Sequence, residues 1–146
     1  MKKLKIAIFF LFVTIVSNNG FGQSRIGDKL NKISEEFSEK EYPKRMMGES
    51  NGGGYRLYVK TEIGWISFYT NEDSICYLTQ VIPVNDSVFY HLIDVYNEDS
   101  KKTSTSSWTL FTKGYEYGVL VKLINDPTDL LFKKRGKYFE YTQIKL

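Results

Sequence analysis

Three consecutive segments decide the fold: YRLYVK at residues 55–60, WISFYT at 65–70 and ICYLTQVI at 75–82. Each is dominated by aromatic and β-branched residues and alternates with a period of two, the repeat of a pleated strand whose side chains point to opposite faces. The polar breaks between them, Thr61–Gly64 and Asn71–Ser74, have the length and composition of hairpin connections. The stretch therefore predicts three antiparallel strands.

Upstream the period changes. Ile26, Leu30, Ile33 and Phe37 recur at helical spacing, with Ser24 or Asp28 available as a cap and Tyr42-Pro43 as a stop, which predicts one amphipathic helix. Met46 to Gly54 reads as a loop, because Asn51-Gly52-Gly53-Gly54 holds a regular element only at a large entropic cost. Downstream, Pro83 ends the third strand and Asn85 or Asp86 can cap a second helix, whose apolar face is Val88, Phe89, Leu92, Ile93 and Tyr96. The polar run Asn97 to Ser107 ends that helix. Strand signals return in Trp108–Thr112, in Tyr115–Ile124 after a Lys113-Gly114 turn, and in Tyr138–Ile144. Between the last two, Asp126-Pro127-Thr128-Asp129 resembles a helix start and Gly136 a stop, which favours a short helix, with a hairpin as the alternative.

The expected architecture is α+β: an antiparallel sheet of about six strands with two main helices on one face, in the order α-βββ-α-βββ, and a short extra helix before the last strand. Two similar halves, residues 24–83 and 85–146, follow as a hypothesis that differing topologies would dismiss.

The amino terminus fixes the expected compartment. Lys2, Lys3 and Lys5 precede an apolar run, Ile6 to Val16, that ends near small residues Gly20 and Gly22. This is the pattern of a secretory signal peptide over residues 1–22, cut after Gly22 to leave one domain, residues 23–146. The run is too short to span a bilayer, which takes about 20 apolar residues, and no cysteine follows it to carry a lipid. The expectation is a periplasmic or secreted protein with no stable membrane anchor. Removing the three leader lysines turns 20 basic and 17 acidic side chains into 17 against 17. A formally neutral domain lacks the basic surplus of a nucleic-acid binder.

Catalytic motifs are missing. His91 is the sole histidine and Cys76 the sole cysteine, too few for a structural zinc site, which usually takes four such ligands, and no nucleophile motif accompanies the histidine. Cys76 reads as a buried small apolar residue on one strand face with Leu78 and Ile82. Glu35, Glu36, Glu39, Glu41, Asp94, Glu98 and Asp99 read as solvated helix faces, with no calcium-loop spacing among the acids. Asn51–Gly54 lacks the lysine and serine of a phosphate-binding loop. Lys133, Lys134, Arg135 and Lys137 form the one dense basic cluster, as expected near a helix end. No cofactor or metal is expected.

With 11 Tyr, 10 Phe and 2 Trp, some aromatic side chains must stand on the sheet face that helices leave open. Trp108, Tyr115 and Tyr117 are the candidate ligand-binding residues. Ser74 and Ser87, in Asp73-Ser74-Ile75 and Asp86-Ser87-Val88, resemble bacterial O-glycosylation sites, and Asn85-Asp86-Ser87 matches the N-glycosylation triplet. The expected function is a small noncatalytic binding module for a protein, peptide or glycan. The alternatives are a small hydrolase or isomerase with a carboxylate and tyrosine pocket, and a structural part of an envelope assembly. Amino-terminal sequencing of protein exported by the native host is expected to begin Gln23-Ser24-Arg25, and retention of Met1 would refute the leader.

Overall fold

The computed structural model describes residues 25–111, 117–125 and 136–145. Its elements are helix α1 (Leu30–Glu36), strands β1 (Arg45–Glu49), β2 (Tyr55–Lys60), β3 (Gly64–Thr70) and β4 (Cys76–Pro83), helix α2 (Asp86–Asp99), then β5 (Lys101–Ser104), β6 (Ser107–Phe111), β7 (Tyr117–Asn125) and β8 (Lys137–Lys145). The strands form one antiparallel eight-stranded sheet in the order β1-β2-β3-β4-β8-β7-β6-β5. The expected six strands in the order α-βββ-α-βββ are thus corrected to α-ββββ-α-ββββ. Each half is a helix followed by a four-stranded meander, and the two meanders meet where β4 pairs with β8. Among the described residues the two halves therefore share an order of elements.

The strands missed by the sequence are β1 and β5, one at each edge. β1 falls in the stretch expected to be a loop and β5 in the polar run after the second helix. Both are exposed along nearly their whole length, and a strand with no buried face has no reason to alternate. The strand ranges read from residues 55 to 82 hold to within a residue at each end. The leader, its cut after Gly22, the short helix expected near residues 126–135 and Tyr115 lie outside the described residues.

Strand register assigns every side chain to a face. The row Leu57, Phe68, Thr79, Tyr141, Val121, Trp108 crosses six strands from β2 to β6, and Val59, Ile66, Val81 and Phe139 run beside it. Both helices pack on this face. Phe37, just past α1, meets Phe68 at 5.2 Å between ring centroids, while Phe89 and Tyr96 of α2 meet Phe139 at 5.5 and 5.2 Å. One buried cluster joins the two halves, so the expected sheet with helices on one face is present.

α1 is shorter than expected and begins without a side-chain cap, since Lys29 occupies that position. Asp28 instead pairs with Arg25 at 3.2 Å and Lys32 at 2.8 Å. The first helical N–H, on Leu30, donates to the Ser74 carbonyl at 2.8 Å. This anchors the helix to the turn between β3 and β4 and satisfies a donor that a helix start otherwise leaves unpaired. α2 has the expected cap, with the Asn85 side chain accepting from the Val88 N–H at 2.9 Å.

Gly64 opens β3 at φ 145°, and a Cβ there would stand 1.8 Å from the Ile82 carbonyl oxygen. Only glycine lets β4 approach so closely.

Beneath α2, the Tyr96 and Tyr141 hydroxyls hydrogen-bond each other in the core. Burial raises both pKa values above the ordinary 10.0, so the folded state holds these protons more firmly than the unfolded chain. Their contribution is complete below the unfolded value and lost as pH rises past it. Tyr96→Phe should destabilise the protein by about 1–3 kcal/mol in urea unfolding, because it strands the Tyr141 hydroxyl. The double variant Tyr96→Phe/Tyr141→Phe should recover most of that loss and fall off less steeply above pH 10.

Candidate functional site

The face opposite the helices carries the other half of each strand. By register, one row runs Met46, Tyr58, Ser67, Gln80, Glu140, Lys122, Ser107, and its neighbour Gly48, Arg56, Tyr69, Leu78, Thr142, Leu120, Thr109. Lys60 and Trp65 pair beyond the first row, next to Ile82. Neither helix covers this face. It is neither a second core nor a fully solvated surface, since Tyr58, Ser67, Ile82 and Thr109 are buried among half-buried neighbours.

Its side chains are organised around cations and rings. The Arg56 guanidinium lies 4.7 Å from the Tyr58 ring centroid and 5.7 Å from that of Tyr69. The Lys60 ammonium lies 5.7 Å from Trp65. Such contacts are attractive because the ring faces carry negative potential, and they hold long cationic side chains in place on a surface. From this cluster a polar relay crosses the seam between the halves: the Tyr69 hydroxyl donates to Gln80 Oε1 at 2.9 Å, and Gln80 Nε2 donates to Glu140 Oε2 at 3.2 Å. Among the described residues, strand alternation places Arg56, Lys60, Lys101 and Lys122 on this face against one carboxylate, Glu140. Among the described residues, this side is therefore electropositive and aromatic.

The residues singled out from sequence are distributed differently. Trp108 stands on the helix side at 1 % exposure, its indole N–H bonded to Asn97 Oδ1 at 2.9 Å and its ring against Tyr96. Trp108 and Leu110 share a strand face, and that face is the core. Tyr117 begins β7 opposite Lys145. Ser74 lies in the β3–β4 turn at φ 61°, with its N–H donating to the Asn71 carbonyl. Ser87 is exposed in the first turn of α2. His91 is half-buried on that helix. The aromatic and cationic residues of the open face, Arg56, Tyr58, Lys60, Trp65 and Tyr69, lie in the very strands read most accurately. The signal that could have found them was the alternation of 55–60, where Arg56, Tyr58 and Lys60 share one parity.

Cys76 also changes sides. A register shift sets Thr70 opposite Cys76 but Tyr69 opposite Leu78, so Tyr77 is an extra residue that bulges outward. Cys76 therefore joins the core, while Leu78 and Ile82 stand on the open face. Its thiol donates weakly to the Leu78 carbonyl at 3.6 Å, and desolvation by burial raises its pKa.

Among the described residues, no group of three His, Cys, Asp or Glu side chains could hold a metal ion, and no helix is long and apolar enough to cross a membrane. A shallow cleft of about 470 Å³ at the β1 edge is lined by Lys29, Leu30, Asn31, Ser34, Met47, Asp73 and Ser74. No protein-family model, curated protein or solved structure matches the chain.

The burial of Cys76 yields a direct test. An aromatic disulfide reagent at pH 8 should leave the folded protein unmodified for hours and titrate one thiol at once in denaturant. Rapid labelling without denaturant would contradict the bulged register.

Proposed function

We propose that the protein is an exported, noncatalytic binding module that holds an anionic ligand, an acidic glycan or the acidic segment of a peptide, across the helix-free face of its sheet. The observation that carries this reading is the pairing of Arg56 with Tyr58 and Tyr69, and of Lys60 with Trp65, on the half-buried face that neither described helix covers. Cations already held by ring faces lose less side-chain freedom on meeting a carboxylate or sulfate, and the rings offer flat apolar area at low entropic cost. Lys122 and Lys101 extend the positive potential along the sheet towards β5. Export rests on the amino-terminal leader pattern.

The test is titration of the purified protein with alginate, polyglutamate and neutral dextran at low and raised salt. The two polyanions should bind and weaken with salt, and dextran should not bind. Arg56→Ala/Lys60→Ala should weaken polyanion binding about tenfold or more, since each cation contributes on the order of 1 kcal/mol. Unchanged binding by that folded variant, or no response to either polyanion, would remove the open face as the site.

A further inference from the structure

The two edges of the sheet are guarded differently. β5 presents Lys101 and Lys102, all of it exposed, and edge lysines resist the addition of another strand. β1 presents RMMGE. Its Arg45 side chain is turned onto α1, donating to the Ser34 and Phe37 carbonyls at 3.0 and 2.6 Å and to Ser34 Oγ at 2.8 Å. What remains outward is Met46 at 58 % and Met47 at 49 % exposure, followed by Gly48 and Glu49, an edge without a lysine.

The ladder fixes which backbone groups are free. Lys60 N–H donates to the Lys44 carbonyl, and Ser50 N–H to the Gly54 carbonyl. Hydrogen-bonded pairs alternate along an antiparallel ladder, so the even-numbered residues of β1 spend their N–H and C=O groups on β2. Arg45, Met47 and Glu49 direct theirs to the empty side.

We infer that this edge accepts the β1 strand of a second copy of the chain, antiparallel, with a two-fold axis through Met47. That register pairs Met47 with itself and Arg45 with Glu49 of the other copy twice over, and it uses all the outward groups in about six hydrogen bonds. Three features make the strand complementary to itself. Arg45 and Glu49 carry opposite charge, and the bonds of Arg45 go to two carbonyls and a hydroxyl, so its guanidinium still lacks a carboxylate among these partners. On the open face Met46 comes opposite Gly48, where nothing lies within 4 Å of a would-be Cβ, leaving room for the longer side chain. On the helix face the two Met47 side chains meet at the mouth of the 470 Å³ cleft of which Met47 is a wall. The product is a continuous sheet spanning both copies, with a lysine-guarded β5 at each end.

A strand of 5 residues buries less than the roughly 1,600 Å² of a standard interface, so the dimer should form reversibly at micromolar concentrations. Sedimentation velocity on the purified protein from 1 to 200 μM should show a monomer–dimer equilibrium. Met47→Pro removes an outward N–H and leaves the β1–β2 ladder untouched, because proline is tolerated on an edge strand. It should keep the far-ultraviolet circular dichroism and the thermal midpoint while staying monomeric. Glu49→Arg, an exposed change that sets like charges opposite each other, should weaken the dimer at least tenfold and decides the matter if the proline variant fails to fold. A wild-type protein monomeric throughout would overturn the inference and leave the edge to a strand from another protein. A dimer indifferent to both substitutions would overturn it equally.

Discussion

Everything in the structure depends on the seam between β4 and β8. The registered pairs, Leu78 with Thr142, Thr79 with Tyr141, Gln80 with Glu140 and Val81 with Phe139, convert two meanders into one sheet. On the helix side the seam places Phe139 and Tyr141 of the second half among the apolar residues of the first, under α2. On the other side it lets the Gln80 amide reach Glu140. Without it, each meander would expose one more long edge and half of a core, and domains of about 60 residues are marginal even with their cores complete.

The face assignments follow from that seam. A two-layer architecture commits one side of every strand to the helices, and the side left over carries whatever chemistry the sequence places there. Here the leftover parity of β2 and β3 contains Arg56, Tyr58, Lys60, Trp65 and Tyr69, residues whose long or flat side chains cover one another in the absence of a helix. Ser67, in their midst, is small enough to be buried by them. The surface is organised by cation and ring contacts instead of by apolar packing, which keeps charged groups on it at a fixed spacing.

What could be read from the residues divides along physical lines. Strands with one buried face advertise themselves by alternation, and β2, β3 and β4 were legible nearly to the residue. α2 was equally legible because its apolar stripe and its Asn85 cap agree. β1 and β5 were not, because Met46, Met47, Lys101 and Lys102 answer to solvent on both sides. Alternation also says which residues share a face without saying which face. Trp108, expected on the open face, lies in the core, since the deciding contact, Tyr96 and Asn97 of α2 against the indole, is made outside its own strand. For Cys76, the extra residue at Tyr77 inverts the parity of the strand start, a break that no pattern of period two can announce.

The seam has a further consequence for how the chain comes to be folded. Gln80 and Glu140 stand 60 residues apart in sequence, whereas the other strand pairs join neighbours within their own meander. Contacts this distant form late, because the intervening chain must first be gathered in. β8 is also the last of the eight strands to be synthesised, although it lies in the middle of the sheet. Until it arrives, β4 is an open template bearing Thr79, Val81 and Ile82, available to any other unfinished chain. The hazard in making this protein therefore lies at a strand that the finished molecule has no occasion to protect.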